Sequence, residues 1–114
     1  MAMKKFRSPP GRAITMATQT IYTNPAGSGV REIVQFTFNS TDSANDCALP
    51  ICEWLDADNG DLALQILPTN VKVAKLEGSV KVTHVFDPGD SLRVASSANG
   101  DIVGIVRVIG REAV

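Results

Sequence analysis

Three aspartates and an asparagine crowd into one polar stretch, Asp56-Ala57-Asp58-Asn59-Gly60-Asp61. Alternating oxygen ligands of this kind bind hard cations such as Ca²⁺. In an EF-hand loop, however, the fifth position supplies an oxygen ligand, the sixth is glycine and the twelfth is a bidentate acid. Here Gly60 stands fifth, Asp61 sixth and Leu67 twelfth. The stretch therefore predicts an acidic hairpin tip, and we assign no metal ligand to it.

The cysteines and the histidine are the other residues that could do chemistry. Cys47 and Cys52 lie five positions apart with Pro50 between them. Strand positions five apart face opposite sides, so a disulfide would require the run to turn back on itself, and the spacing disfavours this alternative while leaving it open. His84 is the single histidine and has no companion ligand or nucleophile, so we expect an ordinary strand residue.

No pattern of catalytic residues stands out elsewhere. Arg93, within Gly-Asp-Ser-Leu-Arg-Val, could contact a phosphate, but a single arginine on a strand is usually solvated or salt-bridged. The chain has no Ser/His/Asp pattern, no glycine-rich phosphate loop and no acid pair in a recognisable context. We therefore expect a protein that is not an enzyme and that needs no cofactor.

The 114-residue chain has the size of one folded domain. Hydrophobic residues make up 44% and charged residues 20% of it, the balance of an ordinary globular protein. No apolar run approaches the roughly 18–20 residues of a membrane-spanning helix. The basic residues 1–12 are followed by no apolar run, so we expect no secretory signal and no membrane partner.

The charges are unevenly distributed along the chain. Residues 1–31 carry five cations and no acid, whereas residues 32–114 carry six cations and twelve acids. Asp42–Asp61 holds six acids and no lysine or arginine. A basic segment joined to an acidic body favours docking against a neighbouring subunit.

The basic segment is predicted to be an extended arm, residues 1–17, ahead of a single domain at 18–114. It shows neither helical nor strand periodicity, and Pro9 and Pro10 oppose both helix and ladder pairing. It has no element that could read bases, so we expect no specific nucleic-acid binding. We expect the arm to be ordered only when it lies on a neighbouring subunit. There its cations would meet the acidic Asp42–Asp61 region of that subunit. The arm cations are Lys4, Lys5, Arg7 and Arg12.

Short runs of β-branched and aromatic residues, with a turn signal about every 8–12 residues, indicate an all-β fold. Val30–Asn39 is the most regular, with Val34, Phe36 and Phe38 on one face and polar residues on the other. We predict a single antiparallel β-sandwich or jelly roll of about eight short strands. These are Gln19–Thr23, Val30–Asn39, Cys47–Asp56, Leu62–Leu67, Val71–Leu76, Val80–Val85, Ser91–Ala95 and Ile102–Val108.

Turn chemistry predicts how the last strands are connected. In Asp87-Pro88-Gly89-Asp90, proline suits the second position of a turn and glycine supplies a following positive φ. Asn99-Gly100 tolerates the two positive φ angles of a tight hairpin. We therefore predict that Ser91–Ala95 and Ile102–Val108 pair as a hairpin, as do the strands on either side of the acidic stretch at 56–61.

The closing strand is apolar on both faces. Ile102, Val106 and Val108 share one face with Gly104, and the opposite face carries Val103, Ile105, Arg107 and Ile109. A sheet with one face in water should alternate apolar and polar residues. Either this strand is covered on both sides within the domain, or its second face packs on another subunit. We favour the second alternative and predict Val103 and Ile105 at a homo-oligomer interface.

Three pieces of the sequence occur in a recognisable order. They are Thr20–Gly27, which ends on Asn-Pro-Ala-Gly, then Ile33–Thr41, and finally Pro88–Ala98 with its Gly-Asp-Ser-Leu-Arg-Val run. With these pieces in this order and spacing, residues 18–109 resemble a group of small β-sandwich structural proteins of tailed bacteriophage virions. The chain departs from that group at Cys47–Leu76 and in its basic N-terminal segment.

The resemblance implies a virion protein, made in the bacterial cytoplasm, that decorates or stabilises the head shell or belongs to the neck or tail accessories. Its implied partners are other virion proteins and further copies of itself, with a trimer as the expected oligomer. The alternative is a stand-alone binding module, for instance for carbohydrate. Such modules present exposed aromatic side chains, and this chain has only one Trp, one Tyr and four Phe.

Overall fold

The structure is a computed structural model that describes residues 11–75, 78–98 and 101–114. These ranges contain ten strands and one 3₁₀ helix, Ala57–Asn59, and they contain no α-helix. None of their helices is long and apolar enough to cross a membrane. The strands are β1 (Arg12–Ile14), β2 (Gln19–Thr23), β3 (Val30–Ser40), β4 (Cys47–Leu49), β5 (Ile51–Asp56), β6 (Leu62–Gln65), β7 (Val71–Val73), β8 (Ser79–Phe86), β9 (Ser91–Ala95) and β10 (Ile102–Ala113).

Two antiparallel four-stranded sheets form the body of the protein. Sheet 1 has the strand order β1-β10-β3-β8, sheet 2 has the order β2-β9-β5-β6, and the short strands β4 and β7 pair with each other. The inner faces of the two large sheets supply one shared apolar core. The predicted all-β sandwich is therefore confirmed, while jelly-roll connectivity stays a prediction.

The core forms where the sequence alternates most regularly. Val34, Phe36 and Phe38 of β3 are completely buried, and so are Leu92 and Val94 on the facing strand β9. Because side chains alternate across a strand, the residues between them on β3 point away from the core. The aromatic rings pack edge to face, with 5.6 Å between the ring centres of Phe36 and Phe86.

The folded sheet begins earlier than the sequence indicates. Arg12–Ile14 forms β1, which pairs with Ile102–Gly104 of β10, and Ile14 is completely buried in the core. Residues 12–14 thus belong to the sandwich and not to an arm that ends at residue 17. A three-residue run has no readable periodicity, so only its long-range pairing reveals it.

The predicted hairpin between β9 and β10 is wrong. β9 pairs with β2 and β5 in sheet 2, whereas β10 pairs with β1 and β3 in sheet 1. The connection therefore crosses from one sheet to the other, and its residues Asn99 and Gly100 lie outside the described residues. A local turn signal specifies a change of direction but does not choose the strand partner. The other predicted hairpin, β5 with β6, is confirmed.

Candidate interaction surface

The two end motifs of the sequence meet at one end of the sandwich. The N–H of Asn24 donates to the carbonyl oxygen of Asp90 at 2.9 Å, and the N–H of Gly89 donates to the carbonyl oxygen of Asn24 at 2.7 Å. The Asn24 side-chain amide also donates to the carbonyl oxygens of Val30 and Phe86. Both turns are thereby held in one network, and Gly89 has the positive φ (92°) that its place in the turn predicts.

Asp90 joins a third loop to this network. Its carboxylate is completely buried and accepts hydrogen bonds from Trp54 Nε1 at 3.0 Å and from the N–H groups of Ala57 and Asp87, each at 2.9 Å. A buried carboxylate with three donors is a satisfied structural group. The network positions the loops at this end and leaves no Asp90 oxygen without a donor.

The acidic stretch at 56–61 folds as a tight turn at the same end. Asp56 caps the 3₁₀ helix: its Oδ1 accepts from the N–H of Asp58 at 3.2 Å and its Oδ2 accepts from the Asn59 amide at 2.5 Å. Gly60 and Asp61 both have positive φ angles, which close the turn. The carboxylate of Asp56 is therefore used within the turn, as expected for an acidic hairpin tip.

His84 is a packing residue on the inner face of β8. Its ring lies 4.6 Å from the Trp54 ring centre and 5.2 Å from that of Phe86. Its buried Nε2 has no hydrogen-bond partner within the described ranges. Burial lowers the pKa of His84, and the negative charge of Asp90 opposes this only in part. The arrangement favours a neutral imidazole.

Both cysteines are buried free thiols, so no disulfide links Cys47 to Cys52. Burial raises the pKa of Cys52 to about 12. Cys47 lies in a cluster with Asp42 and Asp101 whose ligand-type atoms are all within 4.8 Å of one another. Such a set could hold a metal ion, and no local spacing in the sequence signals it, because Asp42 and Asp101 come from distant loops.

The surroundings of this cluster argue for a structural contact. Burial and then the charges of Asp101 and Asp42 raise the pKa of Cys47, which disfavours the thiolate that binds metals. Oδ1 of Asp42 already accepts from the N–H groups of Ala44 and Asn45, at 2.7 and 3.0 Å. These bonds form a local turn and lower the pKa of Asp42.

Two further ion pairs use residues from different strands. Arg93 of β9 lies beside Glu53 of β5, with 2.8 Å between Nη2 and Oε2, so Arg93 is salt-bridged. Glu32 of β3 is buried and accepts from the Tyr22 hydroxyl and, at 2.7 Å, from Nε of Arg111. The Tyr22 hydrogen bond, together with Arg111, lowers the pKa of Glu32 despite its burial. This group ties β2 of sheet 2 to sheet 1.

The cations assigned to the arm divide into two sets. Lys4, Lys5 and Arg7 lie outside the described residues. Arg12 belongs to β1, and its Nη1 donates to the carbonyl oxygen of Thr20 on β2 at 3.2 Å. Arg12 therefore bridges the two sheets.

The acidic Asp42–Asp61 region is not one continuous surface. Asp42 lies beside Asp101, at the end of the sandwich where β9 finishes, and Asp46 pairs with Lys72 at 3.3 Å. The acids at 56–61 lie at the opposite end, where β9 begins, and the six-residue strand β5 of about 20 Å separates the two groups. An arm that reaches a neighbour can thus bind one group or the other.

Val103 and Ile105 lie together on the outward face of sheet 1. They pair with Asn39 and Thr37 of β3, whose side chains also point away from the core, and both apolar side chains are half-buried. The core side of the same strand carries Ile102 and Gly104, which are buried. The outward face is therefore a partly apolar surface within reach of another protein.

Beyond this surface, the second half of β10 lies along an edge of sheet 1. The predicted strand stops at Val108, but β10 continues to Ala113 through a β-bulge between Val108 and Gly110. Val108 and Ile109 are 37% and 53% exposed. The bulge interrupts the period of two, which is why sequence periodicity missed this continuation.

Comparison with protein-family models, curated proteins and solved structures finds no significant match to this chain.

Proposed function

We propose that this chain is a structural protein of a tailed-phage virion, which decorates or stabilises the head shell, or the neck and tail, through protein–protein contacts. The observation that carries the proposal is the network between Asn24 and Asp90. It joins the two sequence motifs on which the resemblance depends into one buried unit. The motifs therefore act together in this chain, as a shared family design would require.

The available surfaces favour contacts with proteins over contacts with small ligands. The outward face of sheet 1 carries Val103 and Ile105, which we propose pack on further copies of the chain, in the trimer that the resemblance implies. No observation favours the carbohydrate-binding alternative. In the described part of the chain, the phenylalanines are completely buried and Tyr22 and Trp54 pack against the core.

Mass spectrometry of virions, purified from a lysate of the phage that encodes this chain, tests the proposal. We expect the protein in the particles at a fixed copy number relative to the major capsid protein. A number near that of capsid subunits indicates shell decoration, and a small number indicates a neck or tail ring. Its absence from purified particles contradicts the proposal.

The basic arm can be tested in the same particles. We propose that Lys4, Lys5 and Arg7 bind acidic surface of a neighbouring protein. Deleting residues 2–10 spares β1 and the buried Ile14, so the domain should keep its thermal stability while losing attachment to particles. The charge variant K4E/K5E/R7E should do the same. Unchanged occupancy of the truncated protein contradicts this role.

A further inference from the structure

One edge of sheet 1 is left open along most of its length. Among the described residues, β1 pairs with β10 only at Ile102–Gly104. From Ile105 to Ala113, the side of β10 that faces away from β3 has no strand partner among the described residues. The backbone N–H and C=O groups along such an edge are a template for pairing with another strand.

The open edge carries apolar and charged residues together. Val108 and Ile109 are exposed on it, and so are Arg107, Arg111 and Glu112. Charged residues on an edge discourage association unless the partner strand supplies the opposite charge. A strand that pairs with β10 must therefore match these charges.

The chain's own N-terminal segment is poorly suited to that role. The register of β1 is Arg12 opposite Gly104. An in-register continuation would bring Pro10 opposite Val106 and Pro9 opposite Arg107. Proline has no N–H to donate to a ladder, and two in succession would interrupt the pairing on either side of the strand.

The faces of β10 restrict how a second copy could pair with it. Arg107, Gly110 and Glu112 point outward, since their partners on β3 are the outward residues Gln35, Ile33 and Arg31. Val108 and Arg111 point inward, opposite Val34 and Glu32. The outward residues of β10 thus have odd numbers before the bulge and even numbers after it.

A two-fold axis perpendicular to the sheet places outward residues opposite outward residues. A register centred near the bulge puts Arg107 opposite Gly110, Glu112 or Val114 of an antiparallel second copy. A register centred before the bulge puts it opposite Ile105 or the second Arg107, where it meets no acid. Of these residues, Glu112 alone has the opposite charge. In that register Val108 faces Arg111, and the ion pair occurs twice because the contact is symmetric.

Both charged residues are available for such a contact. Neither Arg107 nor Glu112 forms a salt bridge or a side-chain hydrogen bond within the described residues, and both are exposed. Arg31, which lies opposite Glu112 on β3, is instead held by Asp87 at 2.7 Å.

We propose that two copies of this chain pair antiparallel through the Ile105–Ala113 edge of β10, with Arg107 of each copy opposite Glu112 of the other. The two copies of sheet 1 then form one continuous sheet. This contact does not depend on the virion role. It uses the backbone edge of β10, whereas the trimer contact proposed above uses the outward side chains of Val103 and Ile105.

Sedimentation velocity on the purified full chain tests the proposal. We expect a dimer or another even-numbered assembly. The single variants R107E and E112R each place like charges opposite one another twice. Each should therefore raise the dissociation constant of the dimer about tenfold. The double variant R107E/E112R restores opposite charges and should return the constant to near the wild-type value. The matched control K75E reverses the charge of an exposed lysine after β7, outside sheet 1, and should have no effect.

Thermal unfolding of each variant checks that the domain is folded. A wild-type chain that is monomeric, or only trimeric, overturns the proposal. Equal dissociation constants for the single variants and the wild type also overturn it, because Arg107 would then not lie opposite Glu112. If deleting residues 2–10 converts a monomer to a dimer, the chain's own N-terminal segment covers the edge and the proposal is also overturned.

Discussion

Asn24 and Asp90 are both completely buried, and the N–H of Asn24 donates to the carbonyl oxygen of Asp90 at 2.9 Å. The adjacent Gly89 returns a bond from its N–H to the carbonyl oxygen of Asn24 at 2.7 Å. These two bonds join the turn after β2 to the turn before β9. They hold one end of the sandwich together across both sheets, because the turns connect strands of sheet 2 to strands of sheet 1.

We expect Asp90→Ala to lower the free energy of unfolding by about 3–5 kcal/mol, because three buried donors lose their acceptor. These donors are Trp54 Nε1 and the N–H groups of Ala57 and Asp87. Denaturant unfolding followed by Trp54 fluorescence measures the change. The control Asp58→Ala removes an exposed acid of the neighbouring turn and should stay within about 0.5 kcal/mol of wild type. Similar stability of the two variants would contradict the assigned role of Asp90.

Gly89→Ala should destabilise the domain by about 1–3 kcal/mol. Gly89 has a φ of 92°, and an added Cβ would lie 3.0 Å from Cβ of Ala57. Gly27→Ala is the matched control in the other turn, since Gly27 has no positive φ and an added Cβ there meets nothing within 4 Å. We expect that variant to be unchanged or slightly stabilised. Comparing the two unfolding midpoints tests the turn geometry.

Ile14→Ala should cost about 2–4 kcal/mol, because it removes a completely buried side chain from the core. Met16→Ala, two positions later at a side chain that is 60% exposed, should change stability by less than about 0.5 kcal/mol. Chemical denaturation of both variants gives the comparison. An Ile14→Ala protein as stable as wild type would mean that residues 12–14 do not contribute to the fold.

The stability of the domain should fall as the pH drops below about 6.5, the ordinary pKa of histidine. Burial lowers the pKa of His84 in the folded state, so the unfolded chain binds a proton more readily in the window below 6.5. The contribution of neutral His84 is complete above that window and decreases as the pH falls through it. His84→Phe keeps an aromatic ring against Trp54 and Phe86 but cannot titrate. Its free energy of unfolding should therefore vary less between pH 7.5 and 5.5 than that of wild type, and an equal variation would contradict the prediction.

Local features of the fold could be predicted from the sequence. The bounds of β2 and β9 agree with the predicted strands, and the turn at Asp87–Asp90 has the positive φ that glycine indicated. Alternation along β3 identified Phe36 and Phe38 as core residues. These features depend on φ preferences and on a side-chain period of two, and both are properties of neighbouring residues.

The candidate surface could be predicted only in part. Val103 and Ile105 were recognised as a second apolar face, and the structure places both on the outward side of sheet 1. The edge at 109–113 was missed, because the bulge at Ile109 breaks the alternation on which strand prediction depends. Arg107 and Glu112 share a face only because of that extra residue.

The sequence by itself determined the all-β class, the turns and the apolar faces, since each follows from a few adjacent residues. Tertiary structure alone decided that β9 and β10 belong to different sheets and that Ile14 is buried. It also decided that Asp90 would accept from Trp54 and that Arg12 would bridge two sheets. Strand partners are selected by the free energy of long-range packing, and residues far apart in the chain contribute to it jointly. A local pattern carries no information about that choice.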